Sequence, residues 1–236
     1  VVVAGNIGVP LIEKVPEITP DHVVVVEVSS FQLERIETFK PRVGIVLNLT
    51  PDHLDRHGNF ENYARAKERI FLNQCGEDFS ILNYDDKYVR KMAQSTKGQV
   101  IFFSTRHTLE QGAYLFNDAV HVVLGDSGNW VLNRGDIYIK GEHNVQNALA
   151  AILAGAVMGL EIESMRTTLK TFRGVPHRLE FVDEIGGVKY VNDSKGTNPD
   201  ASIKALMAFD EPIVLIAGGK NKGSDFSEFA DVVKKK

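Results

Sequence analysis

At 236 residues, with 43% hydrophobic and 25% charged side chains, the chain has the make-up of a soluble globular protein with room for one large domain or two ordinary ones. Its net charge of −4 supplies no basic field, so nucleic-acid binding is excluded as a bulk property and phosphate recognition has to be local. One cysteine, Cys75, cannot close an internal disulfide and lacks a second thiol for a redox or zinc motif, which suits a reducing cytoplasm. The longest apolar run, residues 23–26 with its flanks, falls far short of the roughly 18 residues of a membrane span. The sequence opens at Val1 without methionine or the features of a signal peptide, and the expectation is a fragment that starts within a domain.

Residues 23–28 and 43–49 are short, continuous apolar runs rich in β-branched side chains, the form expected of parallel strands buried on both faces. Between them, residues 29–39 are expected to form a short helix. A second helix is expected over 60–73, with Phe60, Tyr63, Ala64, Ile70 and Phe71 as its apolar stripe. From 80 to 139 the pattern changes to short strands, such as 100–103, 120–124 and 137–139, separated by Gly, Asn and Asp turn signals. This predicts a strand-rich insertion or an extension of the sheet. Helix returns over 144–159, with Val145, Ala148, Leu149, Ile152, Leu153 and Ala156 at core spacing and Gly159 as its stop, and again over 162–172. A new unit starts at Arg178: strand 179–182, a Gly186-Gly187 turn, strand 189–191, helix 200–209, strand 213–217 and a Gly-rich loop. A boundary near Gly174-Val175 gives domains 1–174 and 175–236, the second small for an α/β domain. The predicted class is α/β, a largely parallel sheet with flanking helices followed by a second, incomplete α/β unit.

Lys67 lies seven residues after Phe60, four after Tyr63 and three before Ile70, within the apolar stripe of its helix. An inward lysine is costly unless paired, neutralised or modified, so Lys67 is either a side chain snorkelling at the stripe's edge or a ligand or modified group. The run Thr50-Pro51-Asp52-His53-Leu54-Asp55-Arg56-His57 follows a strand directly, where open α/β sheets place ligands. It reads either as an Asp helix cap with solvated charges or as a divalent-metal site. Glu27, at the end of its strand, either caps the next helix or offers a hard oxygen to Mg²⁺. Asn144 and Asn147, three apart on one helix face, carry the donor and acceptor pairs that read a nucleobase edge; the alternative is a cap and a surface residue. The polar loops 192–198 and 218–223 each follow a strand and could bind an anion, although neither has P-loop spacing.

Taken in order, Gly5-Asn6-Ile7-Gly8, Glu27-Val28-Ser29-Ser30-Phe31-Gln32-Leu33-Glu34, residues 48–58, 64–70, His143-Asn144-Val145-Gln146-Asn147-Ala148, Pro176-His177-Arg178-Leu179-Glu180 and residues 192–198 resemble the Mur ligase family over all but residues 85–134. The Ser29-Ser30-Phe31-Gln32 run favours the D-glutamate-adding branch over those adding alanine or a diamino acid; a folylpolyglutamate-synthase-like ligase and a non-catalytic module are the alternatives. The resemblance implies a Mur ligase central domain followed by part of a Rossmann-like C-terminal domain. It also implies a cytoplasmic, monomeric bacterial enzyme of cell-wall synthesis, bound neither to membrane nor to nucleic acid. ATP would phosphorylate the carboxylate of UDP-N-acetylmuramoyl-L-alanine, and the amine of D-glutamate would attack the acyl phosphate. By the same resemblance a carbamylated Lys67 and His53 hold one Mg²⁺ (or Mn²⁺) and Glu27 a second, while Asn144, Asn147, Arg178 and Asp193 contact ATP. Asn6 and Ser29 then sit near the muramoyl substrate, and Lys195, Thr197 and Lys222 toward D-glutamate. Gly196 stands where alanine is more usual, a change expected to matter little. The family's glycine-rich phosphate loop and uridine-binding domain would precede Gly5, and the rest of its C-terminal domain would follow Lys236. The chain alone is therefore expected to be inactive.

Overall fold

The computed structural model describes residues 1–6, 8–220 and 224–236. Its first elements are β1 (Val2–Gly5), α1 (Leu11–Lys14), β2 (Val24–Glu27), α2 (Ser30–Leu33), β3 (Val43–Val46), α3 (Leu54–His57), α4 (Phe60–Glu68), β4 (Phe79–Asn83) and α5 (Lys87–Lys91). There follow β5 (Gln99–Ser104), β6 (Gly112–Phe116), β7 (Ala119–Leu124), β8 (Ser127–Asn133), α6 (Glu142–Val157), α7 (Ile162–Thr171), β9 (Glu180–Ile185), β10 (Val188–Asn192), α8 (Pro199–Met207) and α9 (Ser227–Val233). The chain is α/β, with a six-stranded sheet in the order β3-β4-β5-β6-β7-β8 and two-stranded pairs β1-β2 and β9-β10. Parallel pairing joins β1 to β2 and β5 to β6. Strands β6, β7 and β8 form an antiparallel meander, the sheet extension foreseen between residues 80 and 139. By compactness the chain divides into residues 1–80 with 86–100, and residues 81–85 with 101–236.

In the first unit, β1 and β2 run in register from Val2 opposite Val24 to Gly5 opposite Glu27. Their valines are not buried on both faces as expected: Val3 and Val25 are 70% and 52% exposed. Among the described residues each strand has only the other as ladder neighbour, and a two-stranded pair leaves its outward side chains in water. Helix α2 is one turn long rather than spanning 29–39. Arg69 donates Nε to the Leu33 carbonyl at 2.8 Å and Nη2 to the Ile36 carbonyl at 2.9 Å, serving acceptors that a longer helix would have used internally. Helix α4 tightens into a 3-10 turn at Arg69–Phe71, and Tyr63, Ala66 and Phe71 carry its stripe inward. The Phe71 ring fits because β3 has no side chain at Gly44, where a Cβ would stand 2.9 Å from Phe71 Cε1. Below it, the buried Asp78 carboxylate accepts from the Cys75 amide at 2.9 Å and pairs with Lys40 at 3.1 Å.

In the second unit, α6 packs on β6, β7 and α7 through buried Val145, Ala148, Leu149, Ile152 and Leu153. It stops at Gly159, as read from the sequence. Residues 137–139 are not a strand. Ile137 is buried and Tyr138 donates to the Leu169 carbonyl at 3.0 Å, so the in-out alternation belongs to an extended segment tied to α7. The Gly186-Gly187 turn joins β9 to β10, and both glycines have positive φ (60° and 81°), the two-residue geometry that matches strand twist. The expected strand at 213–217 is absent. Val214 and Ile216 are 93% and 95% exposed, and among the described residues the segment has no ladder partner, without which β-branched composition does not make a strand. Helix α9 was not read from the sequence.

Two outcomes check this packing. Phe71→Ala is expected to destabilise the fold by ~3–5 kcal/mol, lowering the urea midpoint with the slope unchanged. The Cys75 amide, and then the Lys40 and Cys75 side chains, hold the Asp78 carboxyl below the ordinary 3.8. Its contribution to stability is therefore complete above that pH and lost as pH falls through the lower folded value. Asp78→Asn is expected to remove this part of the acid dependence of thermal melting.

Candidate active site

In the first unit the C-terminal end of β2, the loop after β3 and one face of α4 bring together Glu27, Asp52 and Lys67. Lys67 is half-buried one turn after Tyr63, with Nζ 5.6 Å from the centroid of that ring. Burial lowers the pKa of its ammonium, while the charges of Glu27 and Asp52 pull it back up. Among the described residues no carboxylate lies within 4.0 Å of Nζ, so the lysine is not closed in an ion pair. The Tyr63 phenol is pushed up to about 12, by burial first and by the Asp52 charge second. From the sequence Tyr63 had only a packing role in the stripe, and Asp52 stood open between a helix cap and a metal donor; the i, i+4 spacing of Tyr63 and Lys67 was the signal that the two share a face.

The loop is pinned at Leu49, whose amide donates to Asp86 Oδ2 at 2.8 Å, while the other oxygen of that carboxylate caps α5. His53 opens α3 in a left-handed conformation (φ 51°), uncommon for a residue with a Cβ. Asp52 is not the helix cap: its Oδ1 accepts from the His53 amide at 2.9 Å, and its Oδ2 lies 3.6 Å from His53 Nε2. Nor does Glu27 cap α2. Ser29 does, accepting from the Gln32 amide at 3.3 Å while Gln32 Oε1 accepts from the Ser29 amide at 2.8 Å. The predicted substrate residue Ser29 thus has its hydroxyl engaged within the chain. Asn6 donates its amide to the Glu27 carbonyl at 2.8 Å and Nδ2 to Glu27 Oε1 at 3.2 Å, fixing that carboxylate at the strand end. A cavity of about 560 Å³ lined by Glu34, Arg56, His57, Asn62, Arg65 and Arg69 contains none of the predicted site residues. Among the described residues no three His, Cys, Asp or Glu side chains are placed to hold a metal. Two carboxylates act on Lys67 and an imidazole adjoins one of them, oxygen and nitrogen donors of the kinds that Mg²⁺ or Mn²⁺ accepts.

In the second unit, Gly141 rather than Asn144 takes the cap position of α6. Asn144 donates Nδ2 to the Lys140 carbonyl at 2.7 Å, and Asn147 Nδ2 donates to Asn144 Oδ1 at 3.1 Å, so the two amides form one polar face. Between Asn144 and the cap lies His143, whose imidazole is held below its usual pKa of 6.5 by burial first and by Lys204 and Arg178 next, against Asp193 and Asp200. These charges place His143, Arg178, Asp193 and α8 in one cluster; the sequence named His143 within a motif but gave it no role. Arg178 is exposed between two left-handed residues, His177 (φ 67°) and Leu179 (φ 43°). That loop is tied to the next one: the Leu179 amide donates to Asp193 Oδ1 at 3.1 Å, the Lys195 amide to the His177 carbonyl at 3.1 Å, and Asn192 Nδ2 to Glu180 Oε2 at 3.1 Å. Lys195 is half-buried and Thr197 exposed on the same loop, whereas Lys222 lies outside the described residues. A Cβ at Gly196 would stand 2.6 Å from Asp193 Oδ2, the end of a flexible side chain that would turn aside to admit it.

The chain is 54% identical over 234 residues to a protein of Pelotomaculum thermopropionicum named UDP-N-acetylmuramoylalanine–D-glutamate ligase, covering 99% of this chain and 51% of that protein. It is 52% identical over 229 residues to one of the same name from Thermoanaerobacter sp. strain X514, covering 97% and 50%. The chain therefore spans about half the length of the curated relatives it matches. A crystal structure of MurF from Acinetobacter baumannii shares the fold at 20% identity with a TM-score of 0.62, over 82% of this chain and 44% of that one. Residues 6–155 match the Mur ligase middle domain and residues 177–236 the Mur ligase, glutamate ligase domain, and the chain belongs to the Mur ligase family.

Proposed function

We propose that this chain carries the metal-holding and nucleotide-reading positions of an ATP-dependent ligase that joins D-glutamate to UDP-N-acetylmuramoyl-L-alanine through an acyl phosphate. The name shared by its relatives near half identity supports the substrates, and one observation carries the site: a half-buried lysine without an ion pair, facing Glu27 and Asp52. Burial raises the fraction of neutral amine at Nζ. That amine adds to the carbon of CO₂ and releases one proton, so an ammonium becomes an anionic oxygen donor that a divalent cation can accept. The modified Lys67 with His53 would hold one Mg²⁺ or Mn²⁺ and Glu27 a second, and the bound cations would neutralise charge that develops during phosphoryl transfer. Asn6 orients Glu27, and Asp52 fixes the backbone of His53.

In the second domain of this reading, divided from the first near Gly174-Val175, Arg178 and Asp193 contact the nucleotide. Asn144 and Asn147 read the adenine, while Lys195, Thr197 and Lys222 lie toward D-glutamate. The setting is a cytoplasmic monomer in peptidoglycan synthesis. A polypeptide of these 236 residues, which contains no Gly-x₄-Gly-Lys-Ser/Thr loop, is expected to release no phosphate from ATP by itself.

In a full-length ligase containing this chain, Lys67→Ala is expected to lower D-glutamate-dependent phosphate release roughly 100-fold or more, with partial recovery in a short carboxylic acid. Unchanged turnover would overturn the role of Lys67. The nucleotide positions have their own check. By two-dimensional NMR, His143 is expected to titrate below 6.5, and Lys204→Met to move it upward; a wild-type value at or above 6.5 would contradict the charge cluster.

A further inference from the structure

We infer that His57 is a positioning residue that sets the placement of His53 and Lys67 relative to each other, an inference that rests on reading those two as metal ligands. The His57 side chain is 1% exposed, and both of its nitrogens are held. Ser30 Oγ lies 3.0 Å from Nε2, and Glu34 Oε1 lies 3.2 Å from Nδ1. A carboxylate beside Nδ1 requires a proton on that nitrogen, and a hydroxyl can serve Nε2 as donor or acceptor. Ser30 and Glu34 are four residues apart, so the single turn of α2 presents both to the same imidazole. The tethers are themselves held: Arg56 pairs with Glu34 at 2.9 Å, and Asn62 Nδ2 donates to the His57 carbonyl at 2.9 Å.

The ring so fixed has two aromatic neighbours. Phe31 stacks on it with centroids 5.3 Å apart and planes 2° from parallel, and Tyr63 meets it at 5.4 Å and 60°. Each neighbour carries one of the proposed ligands. Phe31 lies against His53 at 5.0 Å, and Tyr63 lies beneath Lys67 Nζ at 5.6 Å. Two lines of ring contact therefore leave one buried imidazole, one reaching the metal-binding histidine and the other the lysine. An apolar side chain would fill the space without two nitrogens to satisfy, but it would leave the ring's rotation unset. The order Ser30, His57, Glu34 has the outline of a nucleophilic triad. Ser30 is only 3% exposed, so its hydroxyl faces His57 and no substrate.

The test is Mn²⁺ affinity by electron paramagnetic resonance in bicarbonate buffer, on this chain, at a temperature where circular dichroism shows every variant folded. His53→Ala and Lys67→Ala are expected to abolish binding. His57→Ala is expected to weaken it about 10- to 100-fold, the range for groups that orient metal ligands. His57→Phe, which keeps the ring contacts, is expected to lose less, and Ser30→Ala and Glu34→Gln, which each remove one tether, to fall between. If His57→Ala binds as tightly as wild type while His53→Ala and Lys67→Ala fail, the positioning role is wrong and the metal reading stands. If the wild type does not bind, or all variants bind alike, the metal reading fails and this inference with it. A role confined to folding would lower the melting temperature of His57→Ala and leave its Mn²⁺ affinity unchanged. Should His57→Ala not fold, unchanged affinity in both tether variants would overturn the inference.

Discussion

The first unit is organised around the difficulty of burying an ammonium. Lys67 occupies a core-facing turn of α4 beside buried Tyr63 and Ala66, where an isolated charge is strongly disfavoured and an ion pair would be the ordinary remedy. The chain instead places two carboxylates near enough to act on the charge but not to close on it. Such a group has an unusually accessible neutral state, and the neighbouring elements are arranged around it. The end of β2 supplies Glu27, steadied by Asn6, and the loop after β3 supplies Asp52, steadied through Leu49 and Asp86. His53 takes a left-handed turn on the same loop, its imidazole 3.6 Å from Asp52 Oδ2.

The second unit solves a different problem, holding charged side chains in a loop without a buried core beneath them. Asp193 is its anchor, receiving the Leu179 amide on its side chain and the Gly196 amide on its carbonyl. The two left-handed residues around Arg178 each cost of order 1 kcal/mol, and the cross-bonds between the loops hold them there. The polar face of Asn144 and Asn147 begins one residue from His143, whose ring feels Arg178, Asp193, Lys204 and Asp200 together.

Much of this was legible in the sequence because it depends on local pattern. The stripe of α6, its glycine stop, the Gly186-Gly187 hairpin and the inward position of Lys67 all follow from spacing and backbone geometry. What failed depended on partners distant in the chain. The length of α2 is decided by a side chain more than thirty residues later. The exposure of Val3 and Val25 and the absence of a strand at 213–217 depend on which strands lie alongside, which an apolar run does not encode. Asp52 looked like a cap because acids precede helices, yet His53 takes that position in a conformation that composition does not reveal. Ser30, Glu34 and His57 were visible as residues, but their mutual contacts join segments 23 to 27 positions apart.

Arg69 has a consequence beyond ending a helix. Its guanidinium grips two carbonyls three residues apart on the far side of α2, while its backbone continues α4 directly from the turn that bears Lys67. The segment with Ser29, Ser30 and Phe31 and the segment with Tyr63 and Lys67 are therefore joined through one side chain. A lysine at 69 could reach only one of those carbonyls at a time and would leave a hinge where the guanidinium makes a joint. The lysine and its aromatic supports are thereby linked through the backbone of both segments as well as through ring contacts.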